Sequence, residues 1–225
     1  MDVMQLRRNL LMQKTSLLPA EYQQIEWIGA RKSQYIVTDI PVQSPISLEY
    51  KVKYIQSIGI DDFAMFCTGY RISGSSYYIR IGSGKYGGQY QGYYSNYYTE
   101  GNNLLIHGTE YLIKANLKEG LQEQWVNGNK LTDRTYTNNA SILPIDQSKI
   151  TFYIFAEGRL LADGTTNVLF KSNANLYDLK VSNDVGLIGH FIPCIRISDN
   201  EPGMYDTVSG TFYTNAGTGS FVIPS

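Results

Sequence analysis

The chain has 225 residues, the size of one large domain, and 43% of them are hydrophobic, enough for a sizeable core. A formal charge of −1 without a long basic run argues against a surface built for phosphate backbones, so nucleic acid is not an expected partner. Charged residues make up only 17%, against roughly 25% in an average soluble domain; uncharged polar residues, 21 glycines and 19 tyrosines take their place, a mixture suited to strands and turns.

Residues 1–16 are the one stretch with helical periodicity. Val3, Leu6 and Leu10 recur at helical spacing with Met4 and Leu11 beside them. A helix this short is marginal alone in water, so its apolar stripe needs a partner. The rest of the domain could supply it, or the segment could serve as an anchor or oligomerisation element; without a partner it is a disordered leader. The Arg7-Arg8 pair is not followed by the apolar stretch of a secretory signal, and no apolar run approaches the length of a membrane span. Export by that route and a membrane span are therefore not expected.

From Pro19 onward short strand-like runs alternate with glycine, asparagine and proline punctuation: QYIVTDI, ISLEYKVKYI, FAMFCTGYRI, YYIRIG, EYLIKANLK, KITFYIFAEG, NLYDLKVS and GLIGHFIPCI. In ISLEYKVKYI, the residues Ile46, Leu48, Tyr50, Val52 and Tyr54 fall on one face, and Ser47, Glu49, Lys51 and Lys53 on the other. QEQWVNGNKL reads as a hairpin turning at Asn127-Gly128, where positive φ is tolerated. One dry and one wet face per sheet, with no βαβ rhythm, predicts an all-β antiparallel sandwich over residues 17–225, preceded by the short helical extension 1–16.

GKYGGQYQGYYSNYY, residues 84–98, holds six tyrosines in fifteen positions. If it pairs with YYIRIG, Tyr90 and Tyr94 share a face with Gly88 and Gly92, Tyr93 and Tyr97 lie off that face, and Tyr98 begins a polar loop. One face cannot bury all six rings. The rings left over pack along neighbouring strands, touch another subunit, or meet a ligand such as a glycan, whose C–H faces and hydroxyls suit tyrosine beside asparagine and glutamine. Tyr90, Tyr93, Tyr94, Tyr97 and Tyr98 are candidate ligand contacts, with Trp125 of the hairpin as a sixth; the core is the first expectation for Trp125, the rim the second.

Signs of catalysis are absent. Asp61-Asp62 is the sole adjacent acidic pair, and neighbours in a strand face apart. His107 and His190 stand without a G-x-S-x-G elbow or H-E-x-x-H, and His190 reads as a hydrogen-bonded sheet histidine. Asp163 and Asp184 sit among neutral neighbours and read as turn residues, not as a calcium shell, so no metal or cofactor is expected. Cys67 and Cys194 lack metal spacing and read as two buried thiols, with one bridge between them left open. Asn139-Ala140-Ser141 fits a glycosylation sequon.

Two segments carry a resemblance. LPAEYQQIEWIGARKSQYIVTDI opens the domain, and HFIPCIRISDNEPGMYDTVSGTFYTNAGTGSF closes it. They resemble the opening (LP-x-x-Y-x-x-L-E-Y-I, then T-Q-Y-I-D-T-G) and the closing (F-I-P-C, then G-x-Y-D-x-x-S-x-x-F-Y-x-N-x-G-x-G-x-F) of the concanavalin A-like, laminin-G-like jelly rolls of phage and prophage structural proteins. Leu18, Pro19, Tyr22, Ile25, Glu26, Trp27, Ile28, Gln34, Tyr35, Ile36 and Thr38 match the first; Val37 and Asp39 depart from it. Phe191 to Cys194, Gly203, Tyr205, Asp206, Ser209, Phe212, Tyr213, Asn215, Gly217, Gly219 and Phe221 match the second. The resemblance implies adjoining first and last strands, with the matched residues as scaffold. It also implies a virion protein, of tail or decorated head, assembled in a bacterial cytoplasm. Jelly-roll glucanases of similar fold carry E-x-D-x-x-E on one strand, and this chain has none. Expectation therefore falls on a non-enzymatic, lectin-like module; an assembly domain without ligand is the alternative, and a polysaccharide-degrading enzyme the third choice. Its partners would be a cell-surface glycan and, through residues 1–16, other virion proteins or copies of itself. Weak sugar sites become useful when linked, since avidity rises by roughly 10²–10⁴ where geometry permits.

Overall fold

The computed structural model describes residues 17–41, 45–55, 66–72, 75–83, 90–94, 97–101, 108–118, 121–130, 151–161, 163–169 and 171–225; over 66–101 the description covers the backbone. All regular elements among them are strands. The helix predicted over 1–16 lies outside the described residues.

In chain order the strands are β1 (Tyr22–Gln24), β2 (Ile28–Arg31), β3 (Ile36–Pro41), β4 (Ile46–Tyr54), β5 (Phe66–Ile72) and β6 (Ser75–Ser83). Next come β7 (Tyr90–Tyr94), β8 (Tyr97–Gly101), β9 (Glu110–Lys118), β10 (Leu121–Val126), β11 (Asn129–Lys130) and β12 (Thr151–Ile154). The last six are β13 (Glu157–Leu161), β14 (Thr166–Leu169), β15 (Asn173–Ser182), β16 (Leu187–Arg196), β17 (Glu201–Asp206) and β18 (Thr211–Tyr213). They form two sheets. Sheet A runs β11-β10-β9-β4-β15-β16-β17-β18, with β1 added on β16 and β2 on β15. Sheet B runs β14-β13-β5-β6-β7-β8, with β12 joining β3 to β5. Among the described strands only β13 and β5 pair in parallel.

Alternation builds the shared core. Along β4 every second residue is buried, and these are the five residues assigned to one face from sequence. Tyr50, Ile113 and Leu179 from sheet A meet Ile36, Phe152 and Ile154 from sheet B in a single apolar cluster. Asn127 (φ 50°) and Gly128 (φ 81°) both take the left-handed region, the geometry that joins two twisted strands in two residues; the turn sets Val126 opposite Asn129 and Trp125 opposite Lys130.

The side of β16–β18 turned away from this core carries a second, smaller cluster. Ile192, Cys194 and Tyr205 are buried there under Leu18, with Tyr22 and Phe212 packed against them. Tyr22 stacks at an angle on Tyr205 and Phe212, with ring centroids 4.8 and 5.0 Å away. The opening segment is therefore a cover laid over the closing strands. Cys194 is a free thiol, so no bridge joins the two cysteines.

The opening and closing segments are stitched together as the resemblance implied. Gly29 and Val222 exchange backbone hydrogen bonds of 2.7 and 2.9 Å, and Ala216 N donates to Tyr35 O at 2.9 Å. Asn215 Oδ1 accepts from the amides of Tyr35 (3.1 Å) and Gly217 (2.8 Å). A Cβ at Gly217 would collide with the Ser33 carbonyl, and one at Gly203 with the Tyr213 carbonyl, so both positions need glycine for close backbone approach. Asp206, only 1% exposed, accepts from His190 N (2.8 Å), Val208 N (3.0 Å), Ser209 N (3.3 Å) and Ser209 Oγ (2.7 Å). The two departures from the opening pattern, Val37 and Asp39, occupy the exposed positions of β3 between buried Ile36, Thr38 and Ile40, where substitution leaves the core unchanged.

Candidate functional site

Among the described residues nothing lies over the other half of sheet A's outer side, where Lys114 is exposed and Ser47, Glu49, Asn116 and Trp125 are half-buried. Because Tyr50, Ile113 and Val126 point into the core, their neighbours on β4, β9 and β10 point out. Register then lines up two rows across the strands. One reads Ser182, Ser47, Asn116, Glu123. The other reads His190, Lys180, Glu49, Lys114, Trp125, Lys130. Short side chains beside long ones leave a trough of about 360 Å³ lined by Ser47, Glu49, Lys114, Asn116, Lys180 and Ser182. Its floor is bonded: Ser47 Oγ donates to Asn116 Oδ1 at 2.9 Å, and Asn116 Nδ2 reaches Glu123 Oε2 at 3.5 Å. Lys180 stands 3.8 Å from Glu49, and Lys130 2.8 Å from Glu123. Lys114 and Lys130 flank the Trp125 ring, each ammonium 5.6 Å from its centroid, within cation–π range.

Trp125 was expected first in the core; the structure places it half-exposed on this outer face. The tight turn decides the matter, since counting back from it sends Val126 and Gln124 inward and Trp125 outward. Polarity alone points the wrong way here, because Gln124 is fully buried and its amide atoms make no hydrogen bond among the described residues.

The tyrosine segment forms a hairpin. β7 pairs with β6 as the sequence suggested, from Ile79 opposite Tyr94 to Ser83 opposite Tyr90. β8 then returns with Tyr94 opposite Tyr97, Tyr93 opposite Tyr98 and Tyr90 opposite Gly101. Two expectations are corrected. Tyr97 falls in register with Tyr94, and Tyr98 belongs to a strand instead of a loop. The antiparallel pairing of β7 with β8 breaks the parity count that a single continuous strand would obey. The hairpin belongs to the opposite sheet and approaches β10 from there, whereas Trp125 lies on the outer side of β10. Tyr86 is outside the described residues.

Two further groups of polar residues on this face are bound together. His190 Nε2 lies 2.8 Å from Asp178 Oδ1, the hydrogen-bonded sheet histidine read from sequence. Lys51 bonds Glu110 at 2.6 Å and sits 4.4 Å from the Tyr177 ring. Hydrogen bonds from Lys51 and Tyr177 hold the Glu110 carboxyl below its ordinary value, while burial and then Glu110 push the Tyr177 hydroxyl up. Tyr177 stands at the register shift between Leu176 and Asp178, a bulge for which the sequence offers no signal. Asp163 accepts from Thr165 N (2.9 Å) and Oγ1 (2.6 Å), bonds that lower its pKa and mark a turn role. In the next turn it is Asn183, not Asp184, that accepts from Val185 N and Gly186 N, at 2.9 and 3.1 Å. Asp61, Asp62, His107 and residues 139–141 lie outside the described residues.

No family model and no curated protein sequence matches the chain. Among solved structures, the full extracellular region of zebrafish Gpr126/Adgrg6 aligns with a TM-score of 0.50 at 13% identity, over 88% of this chain and 26% of that one. That likeness concerns fold alone. The enzymatically active domain of bacteriophage CBA120 tailspike protein 2 (TM-score 0.45, 13% identity) covers 79% of this chain and 32% of that one. A mutant Trypanosoma rangeli sialidase with trans-sialidase activity (0.39, 15%) covers 61% and 20%. At those scores neither decides anything about fold or function. This chain spans from a fifth to about a third of the lengths of the three structures.

Proposed function

We propose that this chain is a non-enzymatic phage or prophage virion component, a concanavalin A-like jelly roll displaying a carbohydrate- or host-surface-recognition face. The observation that carries the reading is the uncovered half of sheet A, where hydrogen-bonding side chains line a trough beside Trp125. Sugars are bound by such sets, with an aromatic ring for the C–H face and amides, hydroxyls and charges for the hydroxyls. The hairpin of Tyr90, Tyr93, Tyr94, Tyr97 and Tyr98, which approaches β10 from the opposite sheet, would offer a second surface of the same chemistry. The jelly-roll assignment is supported by two sheets around one core and by the stitched ends, and the virion setting by the two bracketing segments.

A binding role is favoured over catalysis by the state of the outward carboxylates. Glu49, Glu110, Glu123 and Asp178 are each held by a cation or histidine. A glycosidase needs two carboxyl groups facing one cleft, and of these four only Glu49 lines the trough. Residues 1–16 would gather copies of the chain or dock it to the virion, so that weak sites act together.

A glycan array probed with the intact protein tests this reading. Binding should fall when Trp125→Ala, Tyr93→Ala or Tyr98→Ala is introduced. Silence of the intact protein on every glycan would leave an assembly domain without ligand. Release of reducing ends from a bound polysaccharide would overturn the non-enzymatic part. Light scattering of the protein with and without residues 1–16 tests the gathering role, with a monomer in both cases counting against self-association.

A further inference from the structure

We infer that the trough of sheet A takes a carboxylate-bearing sugar polymer, with the Lys114 ammonium as the group that recognises its acid; the inference rests on the glycan reading above. Charge pairing along the trough singles out Lys114. Glu49 lies opposite Lys114 in register, yet its carboxylate is turned to Lys180 at 3.8 Å. Glu123, at the end of the neighbouring row, is held by Lys130 at 2.8 Å. Lys114 is in no ion pair among the described residues and is exposed. One positive charge therefore stands uncompensated beside neutral hydrogen-bonding groups of Ser182, Ser47 and Asn116.

Size and charge both narrow the ligand. From β15 to β10 the rows cross three strand spacings of about 4.8 Å, roughly 14 Å in all, which suits an extended oligomer better than a single ring. A phosphate backbone would need several cations at close intervals, whereas the trough offers one ammonium outside any ion pair among the described residues, resting beside the Trp125 ring. Widely spaced single acids on an otherwise neutral, hydroxyl-rich chain fit that pattern. A carboxylate gains a charge-assisted hydrogen bond from the ammonium, and the neutral row is left to meet the hydroxyls.

The test compares an oligosaccharide with one uronate in each four-sugar repeat, its methyl ester and a sulfated dextran of matched length, by calorimetry with the full chain. The acid should bind about fivefold tighter than the ester, the size of one exposed ion pair, and the gap should close as salt is raised. Lys114→Gln should abolish the preference and Lys114→Arg should keep it, while Lys171→Gln, on a cation that packs over Tyr35 away from the trough, should change nothing. Equal binding of acid and ester by the unaltered protein overturns this inference and leaves the glycan reading standing. A stronger preference for the sulfated chain overturns the carboxylate assignment. Binding of none of the three, with a silent array, removes both readings together.

Discussion

Strands β16–β18 and strands β4, β9 and β10 belong to one sheet and turn the same side outward, yet the two stretches are finished differently. Over β16–β18 the outward residues are Ile192, Cys194, Tyr205 and Phe212, and Leu18 and Tyr22 close over them. Over β4, β9 and β10 they are Ser47, Glu49, Lys114, Asn116 and Trp125, open to solvent around a trough. The first half is buried on both faces and the second on one. Scaffold and candidate binding surface thus share a sheet, divided by whether a second layer covers it.

Reactivity of Cys194 gives the widest expected contrast. Burial pushes its thiol from 9.0 up to about 12, which cuts the thiolate near pH 8 roughly a thousandfold. In a Cys67→Ser background, alkylation under native conditions should be slower than in the denatured chain by about that factor. Comparable rates would mean that the cover over β16–β18 opens readily.

Asp206→Ala should lower stability by about 3 kcal/mol in urea titration, because it leaves buried amide donors without their charged acceptor. Tyr22→Ala should cost about 2 kcal/mol through loss of two ring contacts and part of the cover. Trp125→Ala, on the open half, should cost less than about 1 kcal/mol. If Trp125 proved the costlier of the two aromatic truncations, the division into scaffold and free surface would fail.

The smallest effect concerns pH. Since the folded pKa of Glu110 is depressed by Lys51 and Tyr177, its contribution is present above the ordinary carboxyl value of 4.5. It is lost as pH falls through the folded-state value. Both partners are more than two-fifths exposed, so screening limits the contribution to about 0.5 kcal/mol or less. Lys51→Gln should weaken that acid sensitivity and leave the part due to Tyr177, as read from unfolding curves at pH 7 and pH 3.

Much of the scaffold was legible beforehand. The five buried residues of β4 follow from strict alternation, and the turn at Asn127-Gly128 from residues that tolerate positive φ. Trp125 was not legible, because hydrophobicity argues for the core while its side is decided by distance from a turn. Tyr97 and Tyr98 were misplaced for a related reason: their rows depend on where the chain reverses. The trough left no mark in the sequence, since its walls come from positions as far apart as Ser47 and Ser182.

Local chemistry by itself determined many of the strands, the hairpin turn and the need for glycine, aspartate and asparagine in the closing segment, because these depend on neighbouring φ/ψ, side-chain alternation and short-range hydrogen bonds. Only the tertiary structure decided that Lys180, Glu49, Lys114 and Trp125 stand in one row, and that one half of the sheet is covered while the other is open. Strand order and register are set by packing across the whole core, and that long-range agreement is written in no single segment.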